Sequence, residues 1–148
     1  MDKKVALNKL MNICSRKEQC SFDILQKLND WELSYDESNE ILNQLIDNKY
    51  VDDKRYAKAF ANDKIKFNHW GKLKVMYALR QKNISDTFID YALSQINKTE
   101  YFNMIKDEIH KKEKAIKTKD IYDKKSKLLR FGQSRGYELE ILNSIIYV

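Results

Sequence analysis

The stretch YVDDKRYAKAFANDKIKFNHWGKLKVMYALRQKNI, residues 50–84, decides the fold, because it contains two helical patterns and the turn between them. Asp52 or Asp53 can cap a helix N-terminus, since a short carboxylate accepts hydrogen bonds from backbone amides that lack a partner within the helix. Aromatic residues then recur near one face of the first helix, and Gly71 interrupts the pattern before the second helix begins. The stretch therefore predicts a helix, a glycine-marked turn and another helix.

The composition favours helix along the whole chain. The 148 residues include no proline and only three glycines, so the two strongest helix breakers are almost absent. Hydrophobic residues make up 43% of the chain and charged residues 34%, which is enough apolar surface for a packed core. We therefore expect a folded all-α protein.

The helical pattern repeats three times with a period of about 50 residues, which is typical of tandem helical units. Leu28 and Leu79 are 51 residues apart, and Leu79 and Phe131 are 52 residues apart. One more helix precedes each repeated pair, so the predicted fold is all-α, with three tandem three-helix repeats forming an elongated, curved array. The predicted repeats are residues 1–50, 51–97 and 98–148. The predicted helices are residues 3–16, 21–29, 35–48, 53–67, 72–82, 86–96, 99–117, 119–133 and 138–146. Ser34 and Ser85 lie where two of these helices need an N-cap.

The sequence lacks the residue patterns that an active site requires. His69 and His110 are isolated, and there is no Gly-rich loop that would hold a nucleotide phosphate. Asp52 and Asp53 are better explained as caps than as metal ligands. We therefore expect a non-enzymatic protein with no catalytic residue, no metal site and no cofactor.

The chain also lacks targeting and disulfide signals. Residues 1–6 have no apolar signal-peptide core, and no run approaches the roughly 20 apolar residues that a membrane span needs. Cys14 and Cys20 are too few for a disulfide framework and do not have zinc-ligand spacing, so they are interpreted as unpaired thiols without a chemical role. We expect a cytoplasmic protein without membrane contact.

The net excess of positive charge is confined to the last two thirds of the chain. Residues 1–49 hold seven Lys/Arg and nine Asp/Glu, a net charge of −2. Residues 50–97 hold nine and five, and residues 98–148 hold twelve and eight, so each has a net charge of +4. Such an excess favours phosphate backbones or an acidic protein groove as a partner, although lysine-rich helix faces also occur without any partner.

The turn around Trp70 is the sharpest candidate for a binding surface. The indole can stack on a base, contact a partner, or staple the two helices, and the staple is the favoured interpretation. Lys72 and Lys74 lie near a helix start, where backbone amides are predicted to point at an incoming anion. Arg130 and Arg135 in the third repeat could bind carboxylate or phosphate with both arms of the guanidinium.

The stretch from Tyr50 to Ile84 resembles the RecX family, the bacterial modulators of the RecA recombinase. The similar residues are the segment YVDDKRYA, then Gly71 and the run LRQKNI at residues 79–84; LRF at 129–131 and QSRGY at 133–137 are similar to the family's third repeat. The family often has Gly-Pro where this chain has Gly71-Lys72, and Lys-Gly-Ile where it has Lys82-Asn83-Ile84. Asn83 can replace glycine, because asparagine tolerates the left-handed conformation that often ends a helix.

The resemblance implies a fold of tandem three-helix repeats and a regulatory function without catalysis. Family members lie in the groove of the RecA nucleoprotein filament and dampen its ATP hydrolysis, strand exchange and co-protease activity, which triggers the SOS response. We therefore expect a monomer that binds the RecA filament, with sequence-independent contacts to single- or double-stranded DNA. The predicted RecA- or DNA-binding residues are Arg55, Lys64, Lys66, Trp70, Lys72, Lys74, Arg80, Lys82, Lys124, Lys127, Arg130 and Arg135.

Two other functions fit the same sequence. The repeats could be helix-turn-helix modules of a direct DNA-binding regulator, but no helix carries the Arg/Asn/Gln cluster that reads base edges. A protein-only helical adaptor is the other alternative. It predicts that charge reversal at Lys72, Lys74 and Arg80 leaves DNA affinity unchanged.

Overall fold

The computed structural model describes residues 1–147, which form nine α-helices and no β-strand. The helices are α1 (Lys3–Arg16), α2 (Ser21–Asp30), α3 (Tyr35–Asp47), α4 (Asp53–Lys66), α5 (Lys72–Gln81), α6 (Asp86–Ser94), α7 (Lys98–Ala115), α8 (Ile121–Arg135) and α9 (Leu139–Ile146). Every predicted helix is present, and each end lies within two residues of its predicted position. The prediction of an all-α fold built from helical repeats is confirmed.

By its internal contacts the chain divides into two compact units. The first unit combines Met1–Ala59 with Leu79–Tyr91, and the second combines Phe60–Ala78 with Ala92–Val148. Residues 51–97, the predicted second repeat, contribute to both units. The division into three repeats therefore remains a prediction from the sequence pattern.

The first unit is built around the predicted apolar stripes of α1, α2 and α3. Helices α1 and α2 both contact α3. The buried side chains of this core have at most 8% of their surface exposed, and Trp31 packs against them from the edge. They are Ala6, Leu10, Ile24, Leu28, Leu33, Ile41, Leu42, Leu45 and Val51.

The second unit holds the mutual packing of α7, α8 and α9. Ile105 and Ile109 of α7 and Leu142 of α9 have no more than 1% of their surface exposed. Tyr137, which lies between α8 and α9, is the largest side chain of the described residues that is fully buried. Burial of one aliphatic side chain of this size stabilises a fold by about 1.5–3 kcal/mol, so each of these residues contributes to the stability of the unit.

The predicted serine caps are present. The Ser34 hydroxyl accepts a hydrogen bond from the Glu37 amide at 3.2 Å, and the Glu37 carboxylate accepts one from the Ser34 amide at 3.2 Å, which completes a capping box. The Ser85 hydroxyl accepts from the Phe88 amide at 3.3 Å. At the end of α5, Asn83 has a φ of 57°, so the prediction that asparagine adopts the left-handed conformation there is confirmed.

The two adjacent carboxylates at the start of α4 cap two different helices. Asp52 Oδ1 accepts from the Arg55 amide of its own helix at 3.1 Å. Asp53 Oδ1 accepts from the Ser21 amide, the first residue of α2, at 2.8 Å. Both acids therefore have structural roles, and the prediction that they act as caps is confirmed.

Candidate functional site

The turn before α5 lies against the turn between α8 and α9, and both turns belong to the second unit. The Gly71 amide donates to the Arg135 carbonyl at 2.7 Å, and the Leu73 amide donates to the Gly136 carbonyl at 3.0 Å. A Cβ placed on Gly71 would be 2.1 Å from the Gly136 oxygen and 2.4 Å from the Tyr137 nitrogen. Gly71 is therefore required by the close approach of two backbones, in addition to ending the helical pattern.

The backbone amides at the start of α5 already have acceptors. Besides the bonds of Gly71 and Leu73, the Lys72 amide donates to the Tyr101 hydroxyl at 2.9 Å. The prediction that these amides point at an incoming anion is therefore wrong. Residues distant in sequence occupy the Gly71, Lys72 and Leu73 amides, and these three amides are not available to a phosphate.

Tyr101 links the start of α5 to a carboxylate. Its hydroxyl accepts from the Lys72 amide and donates to Glu138 Oε1, while Lys72 Nζ lies 5.0 Å from the centre of the Tyr101 ring. Burial, and secondly the hydrogen bond to Glu138, raise the pKa of Tyr101, so the phenol stays protonated and remains a donor. The Tyr101 hydroxyl thus connects Glu138 to the helix start that carries Lys72.

Tyr137 makes a further bond from the α8–α9 turn to the α4–α5 turn. Its hydroxyl donates to the His69 carbonyl at 2.6 Å. Burial raises the pKa of Tyr137 to about 12. The hydroxyl therefore remains protonated at neutral pH and holds the loop that carries Trp70.

Trp70 packs between α4 and α5 and has two lysines beside it. Its ring is 6.2 Å from that of Phe60 with an interplanar angle of 72°, an edge-to-face arrangement. Lys64 Nζ and Lys74 Nζ lie 5.0 Å and 4.5 Å from the indole ring centre. The indole therefore has the staple contacts that were favoured from the sequence, and it brings an α4 lysine and an α5 lysine to one place in the second unit.

The three predicted binding residues of the first unit all form ion pairs within that unit. Lys82 Nζ is 2.8 Å from Asp23 Oδ1, and Arg80 Nε is 3.1 Å from Asp86 Oδ1. The Arg55 guanidinium is paired with Glu18 and also donates to the Lys49 and Tyr50 carbonyls at 3.1 Å and 3.4 Å. An incoming anion would have to compete with these internal acceptors.

Two predicted residues of the second unit are also paired. Lys124 Nζ lies 3.6 Å from Glu113, and Lys127 Nζ lies 3.0 Å from Asp123 one helical turn away. Both pairs are substantially exposed to solvent, so each contributes little to stability and can open at low cost.

Half of the predicted site residues are cations without a carboxylate partner in residues 1–147, and all of them belong to the second unit. These cations, named here the open cations, are Lys64, Lys66, Lys72, Lys74, Arg130 and Arg135. Arg135 lies over the Phe131 ring at 5.0 Å. Since none of the six is paired with a carboxylate in residues 1–147, all keep their charge for solvent or a partner, which makes the second unit the better candidate surface.

The described residues hold no group of three or more His, Cys, Asp or Glu side chains placed to bind a metal ion. Nor does any helix within residues 1–147 have the length and apolar character to cross a membrane.

Two residues that shape this surface were not found from the sequence. Tyr101 and Glu138 hold Lys72 in place, but they come from α7 and the start of α9, far from it along the chain. The sequence signal that could have pointed to Glu138 is its position directly after Gly136 and Tyr137, at the start of a predicted helix, where an acidic side chain is favoured.

A protein-family comparison matches residues 52–93 to the family model described as RecX, second three-helix domain. The regulatory protein RecX of Vibrio campbellii is 28% identical over 130 residues, which covers 88% of this chain and 82% of the relative. The regulatory protein RecX of Clostridium botulinum is 34% identical over 116 residues, covering 76% of this chain and 54% of the relative. The chain therefore spans most of the first relative and about half of the second.

Two solved structures share the fold. A crystal structure of regulatory protein RecX matches with a TM-score of 0.89 and 20% identity, covering 99% of this chain and 73% of that one. The crystal structure of RecX from Lactobacillus salivarius matches with a TM-score of 0.83 and 20% identity, covering 98% and 94%. At this level of identity the likeness supports the fold alone.

Proposed function

The chain belongs to the RecX family of regulatory proteins, and from this premise we propose that it binds the RecA nucleoprotein filament and lowers its activities. The activities are ATP hydrolysis, strand exchange and co-protease function. The protein acts by binding alone, and its lysines and arginines contact the DNA phosphate backbone. Such contacts carry no base specificity and weaken as salt rises.

The observation that carries the proposal is the placement of the open cations. Lys64 and Lys74 approach one indole, and Lys72 is held over Tyr101, so three cationic side chains are positioned by packing. Cations without internal carboxylates attract a polyanion without first breaking an ion pair. Arg55, Arg80 and Lys82 are internally paired, so their contribution to DNA binding is smaller.

The distribution of these cations also separates the proposal from the helix-turn-helix alternative. A base-reading protein needs side chains that form paired hydrogen bonds with base edges, whereas lysines mainly contact phosphates. Binding to unrelated DNA sequences with equal affinity supports the proposal. Sequence-selective binding that survives moderate salt would favour the alternative.

The test is co-sedimentation with RecA on single-stranded DNA. The variant Lys64→Gln/Lys66→Gln/Lys74→Gln removes three open cations, and Lys4→Gln/Lys17→Gln/Lys27→Gln removes the same charge from the first unit as a matched control. We expect the first variant to bind the filament more weakly and to lower the slope of log affinity against log salt by about 2, since each lost phosphate contact lowers it by about 0.7–0.9. An equal loss of filament binding in the two variants would refute the assignment of the binding surface to the open cations.

A further inference from the structure

A second surface feature of the same unit is a pocket between α7, α8 and α9. Its volume is about 360 Å³, and its lining includes the aliphatic side chains of Ile109, Leu128, Ile145 and Ile146. Ile109 and Leu128 are buried in the core of the unit, with 1% and 3% of their surface exposed. The pocket therefore opens onto the hydrophobic core.

The first turn of α8 carries two large exposed hydrophobic side chains, and one of them, Ile121, lines this pocket. Ile121 lies seven residues before buried Leu128 and so on the same face of α8, yet 59% of its surface is exposed. Tyr122, next to it, is 83% exposed. The apolar stripe of α8 thus continues beyond the packed core into solvent, which is typical of a contact surface.

Lysines surround the apolar lining. Among the described residues, three lysines line the pocket, Lys119, Lys124 and Lys125, together with one carboxylate, that of Glu113. Lys124 Nζ is 3.6 Å from Glu113, so the rim keeps a net charge of +2. The complementary ligand is therefore apolar at its centre and negatively charged at its edges.

The aliphatic character of the lining distinguishes a protein ligand from DNA. Nucleic-acid bases bind by stacking on flat aromatic side chains, whereas the inner wall of this pocket consists of isoleucines and a leucine. Protein interfaces instead insert an anchoring side chain into an apolar pocket that has a polar rim.

We propose that this lysine-rimmed pocket binds an acidic segment of a protein partner through one aliphatic or aromatic anchor side chain. The anchor covers Ile121 and enters the pocket, and flanking carboxylates pair with Lys119 and Lys125. The inference goes beyond the proposed function, because it does not require the partner to be RecA and does not involve the open cations.

The test uses three labelled twelve-residue peptides and fluorescence anisotropy. The first peptide has two central leucines flanked by glutamates. The second has glutamines in place of the glutamates, and the third has alanines in place of the leucines. We expect the first to bind at least about 10-fold more tightly than either of the others, because each lacks one half of the complementarity.

Surface variants assign the binding to the pocket. Ile121→Ser and, separately, Lys119→Glu/Lys125→Glu should each weaken binding of the first peptide by about 10-fold or more. Lys106→Glu/Lys111→Glu, which changes exposed α7 lysines by the same charge, should leave it unchanged. Circular dichroism of each variant shows that the helices are intact.

Three results would overturn the proposal. The first is that the leucine–glutamate peptide does not bind at millimolar concentration. The second is that the glutamine peptide binds as tightly as the leucine–glutamate peptide. The third is that Lys106→Glu/Lys111→Glu weakens peptide binding as much as the pocket variants do. A fourth arm uses a single-stranded dT20 oligonucleotide. The proposal is wrong if the oligonucleotide displaces the peptide and if Lys119→Glu/Lys125→Glu weakens oligonucleotide binding while Ile121→Ser does not. In that case the lysine rim is a nucleic-acid surface.

Discussion

Replacement of Gly71 by alanine tests the contact between the α4–α5 and α8–α9 turns. The added Cβ would be 2.1 Å from the Gly136 oxygen and 2.2 Å from its carbonyl carbon, both backbone atoms that cannot rotate away. The two turns must separate, which weakens the three hydrogen bonds that join them: those donated by the Gly71 amide, the Leu73 amide and the Tyr137 hydroxyl at 2.7, 3.0 and 2.6 Å.

The expected cost follows from those three bonds. At about 1 kcal/mol each they total about 3 kcal/mol, and the lower entropy of the unfolded alanine chain offsets about 0.4–1 kcal/mol. The net destabilisation is about 2–3 kcal/mol. With a urea dependence of about 2 kcal/mol per molar, the unfolding midpoint should fall by about 1–1.5 M. The measurement is urea unfolding followed by circular dichroism at 25 °C.

Gly132→Ala is the matched control in the same unit. Its Cβ would approach the Cδ2 and Cδ1 atoms of buried Leu142 at 2.4 and 2.8 Å, which are side-chain atoms rather than backbone. Overpacking against Leu142 costs about 1–3 kcal/mol, and alanine regains about 1 kcal/mol of helix propensity inside α8, so we expect a smaller fall of the midpoint than for Gly71→Ala. If Gly71→Ala changes stability by less than about 0.5 kcal/mol, or if Gly132→Ala costs as much, the close-approach argument is refuted.

Further predictions concern buried hydroxyl and thiol groups. Tyr101→Phe removes one hydroxyl that both accepts and donates a hydrogen bond, so it should lower the free energy of unfolding by about 1–3 kcal/mol. Tyr122→Phe, at an exposed position, should leave the free energy of unfolding unchanged. Equal effects of the two substitutions in urea unfolding would contradict this. Burial raises the pKa of Cys20 to about 11 and that of Tyr137 to about 12, so the folded state holds these protons more tightly than the unfolded state. The stability that these two protonated groups contribute is therefore complete below about pH 9 and is lost as the pH rises to about 12. A urea midpoint that stays constant from pH 8 to 12 would contradict this expectation. Ellman's reagent at pH 8 should modify half-buried Cys14 before fully buried Cys20, and the reverse order would be inconsistent with the packing.

The helices and their caps could be predicted because their signals are local. The spacing of Leu28 and Leu79 sets the repeat, and Ser34 caps a helix whose third residue is Glu37. Asn83 takes the left-handed conformation because its own side chain tolerates it. The signals at Ser34 and Asn83 operate within about one helical turn of the residue concerned, and the repeat is visible as a regular spacing along the sequence.

The contacts between distant residues could not be predicted in the same way. Gly71 was interpreted only as a helix breaker, because the closeness of the Gly136 carbonyl depends on how α7, α8 and α9 pack. The same is true of Lys82, whose partner Asp23 is 59 residues away. Charge counting alone treated Lys82 and Lys74 as equivalent, and only the ion-pair geometry distinguishes them.

The most direct test of the central claim measures ATP hydrolysis by RecA on single-stranded DNA while this protein is added up to a stoichiometric amount. The account predicts a progressive loss of hydrolysis. It also predicts a smaller loss with Lys64→Gln/Lys66→Gln/Lys74→Gln than with the control Lys4→Gln/Lys17→Gln/Lys27→Gln. Unchanged hydrolysis at a stoichiometric amount of the protein would contradict the account.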